Sequence, residues 1–258
     1  MRRTVKVPGS CGEFVQGFFR GAPILITCPI EKFSAVTISD EFNGVAGLGE
    51  KSLSLLKKLH LPKNLGVRLT TELPRGKGMA SSSADLAALA KAANFNLSAE
   101  KISEMAAAIE PTDGTFFRGV VAMNPVTGKL IKNIRVAEKY PVAIFDYGGE
   151  IDTLKFNRRS NFQILRLDDT LNLELVEKSA LANQEILYKP NLREIISFAK
   201  KIGAVTVNAA HSGTVIGIFF HADDSNIDAK IAEIAARFDF IKFMTKTRLI
   251  DGGFYAEI

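Results

Sequence analysis

The chain has 258 residues, of which 47% are hydrophobic and 24% are charged, and its formal net charge is +5. This balance is typical of a globular protein with one large core or two modest ones, and the mild positive charge suits a polyanionic ligand without requiring nucleic acid. With only two cysteines, a disulfide framework is not indicated and a reducing, cytoplasmic environment is expected. No stretch of 18 apolar residues predicts a membrane span, and the basic start lacks the apolar segment of a signal peptide.

The spacing of apolar residues predicts strands and helices mixed along the whole chain. In the first half we expect a turn-rich loop at residues 8–17 and helices near 53–59, from within 81–85 onward, and at 98–109. Strands are expected there at 4–7, 24–28, 33–39, 66–72, 120–123, 130–136 and 142–145. In the second half we expect helices at 173–188, 192–201 and 227–238, and strands at 204–207, 214–220, 240–244 and 253–257.

Polar residues become frequent between 148 and 161, which predicts a domain boundary near residue 150. The two domains would then be residues 1–150 and 151–258. The densest positive cluster in the chain, Lys155, Arg158 and Arg159, lies at the start of the second domain. Because helices alternate with strands that can pair antiparallel, the expected fold class is α+β, with a sheet in each domain and helices on one face of it.

The most informative stretch is residues 73–89, where a glycine-rich loop leads into a helix. Gly76 and Gly78 allow the backbone to approach a ligand closely, and the Ser and Asp side chains of 81–85 favour a capped helix start. The first-turn N–H groups and the helix dipole would bind an anion, with Lys77 adding positive charge. The stretch therefore predicts a phosphate site without the Walker pattern; the alternative is an ordinary loop capped by serine.

Two carboxylates, Glu110 and Asp113, lie in a short turn that follows the predicted helix at 98–109. Beside a phosphate site they suggest one magnesium ligand and one base or hydroxyl-orienting group. The alternative is that Glu110 is solvated while Asp113 forms a local turn with Gly114. Residues 208–217 are either an ordinary hairpin or a second backbone-rich loop against the phosphate site, and the three histidines are too scattered to build a metal site.

Taken together, three stretches resemble the signatures of the GHMP kinases, the superfamily of galactokinase, homoserine kinase, mevalonate kinase and phosphomevalonate kinase. The first is residues 8–17, where Ser10 stands in place of a lysine that many members carry. The third is residues 209–220, which contain less glycine than usual. The second is a proline followed by a glycine- and serine-rich turn, with Met and Ala in place of Leu and Gly: Pro74, Gly78, Met79, Ala80, Ser81, Ser82, Ser83 and Ala84.

This resemblance implies the two-domain GHMP kinase fold, with an N-terminal left-handed β-α-β domain that binds ATP and a C-terminal ferredoxin-like domain. It implies ATP and Mg²⁺ as cofactors, Ser82 and Glu110 as the metal ligands, and Asp113 as the catalytic carboxylate. The residues expected to bind the nucleotide are Pro74, Gly76, Lys77, Gly78, Met79, Ala80, Ser81, Ser82 and Ser83.

Within the superfamily, residues 8–17, 27–36 and 109–117 resemble the L-threonine kinases of cobalamin assembly. Those enzymes make O-phospho-L-threonine from ATP and L-threonine, so the resemblance implies L-threonine, or a similar small hydroxyl compound, as the acceptor. The candidate residues for binding the acceptor are Ser10, Glu13, Gln16, His211, Ser212 and Gly213.

Two other functions stay open from the sequence. Another GHMP kinase would phosphorylate homoserine, diphosphocytidyl-methylerythritol or a mevalonate-type acid. A basic RNA-binding module would need positive patches interleaved with exposed aromatics, whereas this chain has no Trp and four Tyr. We therefore expect a small-molecule substrate and neither a nucleic-acid nor a membrane partner, while monomer and homodimer both stay open.

Overall fold

The computed structural model describes residues 2–62, 64–151 and 162–257. Strands and helices are mixed along the chain, as the α+β class requires. The helices are α1 Glu50–Lys58, α2 Ser81–Ala93, α3 Ala99–Ala107, α4 Leu173–Ala182, α5 Leu192–Lys201 and α6 Ile227–Arg237. The strands are β1 Arg2–Phe19, β2 Ala22–Ser39, β3 Val45–Ala46, β4 Gly66–Thr71, β5 Val120–Met123, β6 Leu130–Ile134, β7 Pro141–Asp146, β8 Thr206–Ala209, β9 Val215–Phe219, β10 Lys242–Arg248 and β11 Tyr255–Glu257.

The strands join into one sheet rather than into the two separate sheets expected from the sequence. The main order is β10-β7-β9-β8-β1-β2-β4-β3, with β11 paired to β1, and β5 paired to both β2 and β6. The two halves of the chain meet where β1 pairs with β8, at Glu13 opposite Ala209. β8 is therefore joined to β1 at a single register position inside the first signature, while β11 pairs with β1 at residues 4–6.

The predicted loop at residues 8–17 is wrong, because this stretch is the middle of β1. β1 pairs antiparallel with β2 along nearly its whole length, although the register shifts between Pro8 and Ser10 and again on either side of Glu13. Gly12 has φ of 59°, a conformation that a bulged strand tolerates best with glycine. The same pairing joins the two strands predicted at 24–28 and 33–39 into one continuous β2. Long-range pairing thus overrides the local turn signals.

Side-chain caps mark the starts of α3 and α4. Ser98 caps α3 by accepting a hydrogen bond from the Lys101 N–H at 3.2 Å. α5 matches its predicted range residue for residue. The helix predicted at 173–188 is shorter than expected, since α4 ends at Ala182 and a 3₁₀ turn, Asn183–Glu185, follows it. The Asn183 carbonyl accepts the N–H groups of residues 186 and 187, which closes the chain into a turn before Pro190.

The apolar side chains of the described residues form two clusters. The larger cluster packs α2 against β1 and β2, with Leu86 and Leu89 of α2 buried. The smaller cluster draws its members from residues 143–241 and is centred on α5, α6, β8 and β9. β7 belongs to the sheet region of the second half, because it pairs with β9 and β10. The predicted boundary near residue 150 stays a prediction, and the positive cluster at residues 155–159 lies outside the described residues.

Within the described ranges, no helix combines the length and the apolar character needed to cross a membrane.

Candidate functional site

A cavity of about 550 Å³ opens at the N-terminus of α2. This volume falls within the usual range for small-molecule sites, roughly 300–1,000 Å³. Its wall is formed by Glu13 of β1, the start of α1 and the two residues before it, the glycine loop with the first turn of α2, the turn after α3, Ile151 and the tip of the β8–β9 hairpin. The polar or loop residues that line it include Glu13, Lys51, Arg75, Gly76, Gly78, Met79, Ala80, Ser81, Ser82, Ser83, Asp85, Glu110, Asp113 and Ser212.

The glycine loop reaches the helix through three alternate residues with left-handed backbone. Gly76, Gly78 and Ala80 have φ values of 70°, 81° and 56°. Ala80 is the N-cap of α2, and among the described residues no side chain caps the helix, so the predicted Ser or Asp cap is wrong. A left-handed alanine is unusual and costs free energy, which suggests that the loop conformation serves the cavity. The first turn of α2 therefore presents backbone N–H groups to the cavity without a capping side chain in front of them.

Backbone contacts from two other parts of the chain hold this loop in place. The N–H groups of Ser10 and Gly12 in β1 donate to the carbonyls of Met79 and Gly78, both at 3.0 Å. On the other side lies Gly213 of the β8–β9 turn, where an added Cβ would stand 2.2 Å from the Lys77 carbonyl oxygen. Residues 208–217 are thus a hairpin whose tip packs against the glycine loop, and that this loop adjoins a phosphate site stays a prediction.

Ser82, Glu110 and Lys51 form a hydrogen-bonded cluster in the cavity wall. The Ser82 hydroxyl donates to Glu110 Oε1, and the Lys51 ammonium donates to Glu110 Oε2. The Glu110 residue is 7% exposed, so the alternative of a solvated carboxylate is wrong. The described residues contain no group of three or more His, Cys, Asp or Glu side chains suited to a metal. A hydroxyl and a carboxylate oxygen in contact nevertheless fit Mg²⁺, which takes one or two protein oxygens together with substrate phosphates and water.

Asp113 is attached to the same first turn of α2 through the next serine. Its N–H donates to Ser83 Oγ at 3.1 Å, and the Ser83 hydroxyl lies 3.3 Å from Asp113 Oδ2. Gly114, with φ of 65°, follows it, and an added Cβ there would meet the Met123 sulfur at 2.0 Å. The structure therefore brings Asp113 and Glu110 together at one helix N-terminus, each beside its own serine.

The Lys77 side chain does not line the cavity, contrary to the expectation that its charge would reach a bound phosphate. Its Nζ donates to Asp146 Oδ2 and to the Gly149 carbonyl, both at 2.6 Å. Although partial burial opposes ionisation of Asp146, hydrogen bonds from Lys77 and Thr214 lower the pKa of that carboxyl. The ammonium fastens the glycine loop to the end of β7, and the backbone carbonyl of Lys77 accepts from Thr214 N–H at 3.0 Å.

The acceptor candidates separate into two groups. Glu13 and Ser212 line the cavity. The other four candidates are not among the residues that line the cavity: Ser10, Gln16, His211 and Gly213. Pro74, expected beside the nucleotide, likewise stands just outside the lining residues.

Glu13 is 4% exposed and is held by His211. Its Oε2 accepts the His211 backbone N–H at 3.0 Å and lies 3.2 Å from Nδ1 of the ring. The opposite ring nitrogen, Nε2, lies 3.0 Å from Ser179 Oγ on α4, which also receives the Gln16 N–H at 3.0 Å. The buried chain Glu13–His211–Ser179 therefore connects β1, the hairpin tip and α4, and it presents one carboxylate to the cavity.

The charged residues of the cavity wall that sequence reasoning missed include Lys51 and Asp85. Lys51 lies on α1 outside every recognised motif, so no local signal identified it. Asp85 lies inside the helical pattern, where burial raises the pKa of its carboxyl to about 6, partly offset by a hydrogen bond from Ser34 and by Arg75. The Ser34 hydroxyl is 2.5 Å from Asp85 Oδ1, and an Arg75 guanidinium nitrogen is 3.9 Å from Oδ2.

The chain is similar in sequence and in fold to several known proteins. Residues 47–118 match the GHMP kinases N terminal domain. The chain is 25% identical to an L-threonine kinase of Citrobacter freundii, over 86% of this chain and 87% of the relative. In fold it resembles a phosphotransferase related to the CoA biosynthesis pathway, with a TM-score of 0.71 at 12% identity over 100% of this chain and 99% of that one. It also resembles a homoserine kinase of Cytophaga hutchinsonii, with a TM-score of 0.65 at 16% identity over 99% and 97% of the two chains. The matched segment contains the glycine loop, the first turn of α2 and both carboxylates, so the part of the chain that forms much of the cavity wall is similar to the N-terminal domain of GHMP kinases.

Proposed function

We propose that this chain transfers a phosphoryl group from ATP to the hydroxyl of L-threonine, yielding O-phospho-L-threonine for cobalamin assembly in the cytoplasm. The observation that carries the proposal is the pair of carboxylates, Glu110 and Asp113, fastened to the first turn of α2 through Ser82 and Ser83. Phosphoryl transfer uses one carboxylate that binds the metal ion and another that orients the acceptor hydroxyl, and both would lie here at one helix N-terminus. ATP with Mg²⁺ is the proposed donor, and the proposed domains are 1–150 and 151–258.

The glycine loop and α2 would bind the triphosphate of ATP. The left-handed backbone at Gly76, Gly78 and Ala80 keeps side chains away from the approach to the helix. The first-turn N–H groups then act as donors to phosphate oxygens, and the helix dipole adds a favourable field. Because the loop is hydrogen-bonded to β1 and packed against Gly213, it needs little rearrangement to bind. Preorganised donors of this kind stabilise charge that develops during transfer.

Ser82 and Glu110 would hold the magnesium ion. Their oxygens are in contact in this structure, so both can face one ion on the phosphate side of the cavity. When bound, the ion neutralises phosphate charge during transfer. The buried position of Glu110 keeps its oxygens directed by Ser82 and Lys51 rather than by bulk water.

Asp113 would orient the acceptor hydroxyl and accept its proton. A threonine hydroxyl is a weak nucleophile, and a positioned carboxylate typically contributes about 10²–10⁴-fold as a general base. Ser83 fixes the carboxylate by contacts to both the backbone and the side chain of Asp113. The proton would move from the threonine oxygen to an Asp113 oxygen as the new O–P bond forms and the bond between the γ-phosphorus and the bridging oxygen breaks, with ADP as the leaving group.

Glu13 is the proposed partner of the substrate ammonium. It is a buried carboxylate in the cavity wall, and His211 fixes its direction. An ammonium bound by a buried carboxylate forms a charge-assisted hydrogen bond, which favours an amino-acid acceptor over a mevalonate-type acid. The choice of threonine over homoserine is supported by the similarity to L-threonine kinases and by the three sequence stretches that resemble them.

The test is release of ADP with Mg-ATP and a panel of acceptors: L-threonine, L-homoserine, L-serine, mevalonate and no acceptor. We expect the highest kcat/KM with L-threonine. L-Serine lacks the methyl group and should lose roughly 1–3 kcal/mol in kcat/KM if that group occupies an apolar part of the pocket. A higher kcat/KM for L-homoserine than for L-threonine would make homoserine the acceptor and refute the choice of threonine. ADP release that no acceptor accelerates would refute the whole proposal.

A further inference from the structure

The cavity wall contains a lysine, Lys51, that belongs neither to the glycine loop nor to the first signature. Lys77 is bound to Asp146 and Gly149. Ser10, which stands in place of the lysine of many GHMP kinases, is buried, and its hydroxyl contacts the carbonyls of Gly12 and Cys28. Among the described residues, the cavity lining contains two cationic side chains, Lys51 and Arg75.

Of these two cations, Lys51 is the one next to the proposed metal ligands. Arg75 is 58% exposed and approaches Asp85, whereas the Lys51 side chain is 25% exposed and contacts Glu110. α1 packs against α2, and buried Ser52 and Leu55 fix the face that carries Lys51. The ammonium is therefore held at the phosphate end of the cavity by a helix rather than by a mobile loop.

We propose that Lys51 binds the terminal phosphates of the nucleotide, taking the part that the glycine-loop lysine cannot take here. The reason is electrostatic. In the free protein the ammonium is paired with Glu110. A divalent cation at Glu110 and Ser82 would share that carboxylate's charge and repel an ammonium beside it, unless an anion lies between them. The non-bridging oxygens of the terminal phosphates are that anion, so Lys51 exchanges a carboxylate partner for a phosphate partner when nucleotide binds.

This inference rests on the proposed function and deepens it, because it assigns a phosphate-binding residue to the same site. It also predicts which part of the nucleotide depends on Lys51. ATP and ADP carry terminal phosphates that can reach the metal, whereas AMP does not extend that far. Loss of the ammonium should therefore weaken binding of ATP and ADP, and leave AMP binding nearly unchanged.

The experiment is calorimetric titration of Lys51→Met, Lys51→Arg and the control Lys57→Met with Mg-ADP, Mg-ATP and AMP. Lys57 is an exposed cation on the same helix, so its loss changes net charge equally. We expect Lys51→Met to weaken Mg-ADP and Mg-ATP binding by about 10- to 100-fold, as for the loss of a charge-assisted hydrogen bond. AMP affinity should change less than threefold, Lys51→Arg should retain most of the affinity, and Lys57→Met should resemble the wild-type chain.

Two kinds of failure are distinguishable. If the wild-type chain binds none of the three nucleotides, the proposed function fails. If it binds them and Lys51→Met binds Mg-ADP as well as Lys57→Met does, the assignment of Lys51 is overturned while the proposed function stands. An equal loss of AMP and ADP affinity would also overturn it, because Lys51 would then shape the pocket rather than bind the terminal phosphates. Thermal unfolding of each variant, measured without ligand, checks that the protein under test is folded.

Discussion

Replacing Asp85 with asparagine should stabilise the protein at neutral pH. Asp85 is 4% exposed, and burial raises the pKa of its carboxyl from 3.8 to about 6, with the Ser34 hydrogen bond and Arg75 acting in the opposite direction. Since each tenfold change in proton affinity is about 1.4 kcal/mol, keeping this carboxylate ionised costs about 3 kcal/mol of folding free energy. The amide of the Asp85→Asn variant would keep an acceptor for Ser34 and remove the charge.

The sign of the pH dependence follows from the raised pKa. Between pH 3.8 and about 6 the folded protein binds the Asp85 proton more tightly than the unfolded chain does, so this residue lowers stability progressively as pH rises through that window. Above pH 6 the cost is complete. The free energy of unfolding of Asp85→Asn relative to wild type should therefore increase from pH 4 to pH 7 by about 1–3 kcal/mol.

The assay is urea unfolding followed by circular dichroism, since the chain has no Trp for fluorescence. The matched control is Asp239→Asn, at an exposed carboxylate. If the difference between Asp85→Asn and wild type stays constant over this pH range, or if the variant is less stable at pH 7, the reasoning from burial is refuted.

Three further predictions concern the metal, the proton and a buried lysine. Ser82→Ala and Glu110→Gln should each lower the initial rate, and a higher Mg²⁺ concentration should restore part of it. If both variants keep the magnesium dependence of the wild-type chain, the assignment of Ser82 and Glu110 as metal ligands is refuted. Asp113→Asn should lower kcat by about 10²-fold or more with little change in threonine binding, and near-normal turnover of this variant would refute the assignment of Asp113 as the general base. Burial lowers the pKa of Lys189 from 10.5 to about 8, although the charge of Glu13 opposes this shift. Between pH 8 and pH 10.5 the unfolded chain therefore binds the Lys189 proton more tightly than the folded protein does, and the free energy of unfolding should rise with pH in that range. Lys189→Met should flatten that rise in urea titrations, and a rise that persists unchanged would contradict it.

The parts of the site that sequence could predict are those encoded locally. The glycine loop, the start of α2 and the pair Glu110 and Asp113 are close in sequence, and glycine, serine and a helix pattern mark them directly. The expectation of a serine or aspartate cap failed at Ala80, because the serines of the first turn instead contact the two carboxylates.

The parts that sequence could not predict depend on contacts between distant residues. Residues 8–17 contain turn-forming glycines, yet pairing with β2 makes them strand. Lys77 stands between two glycines, and its partner Asp146 is 69 residues away. Lys51 lies outside the motifs and reaches Glu110 only when α1 packs on α2. No local pattern records such partners, so the side chains that fasten the loop and add charge to the cavity emerge only from the fold.

The most direct test of the proposed function is to identify the phosphorylated product. The chain would be incubated with Mg-ATP and an equimolar mixture of L-threonine and L-homoserine, and the products followed by ³¹P NMR and mass spectrometry, with Asp113→Asn as the control. We predict O-phospho-L-threonine as the main product for the wild-type chain and about a hundredfold less for the control in the same time. A product consisting mainly of phosphohomoserine, or of ADP and inorganic phosphate with no phosphorylated amino acid, would contradict the proposal.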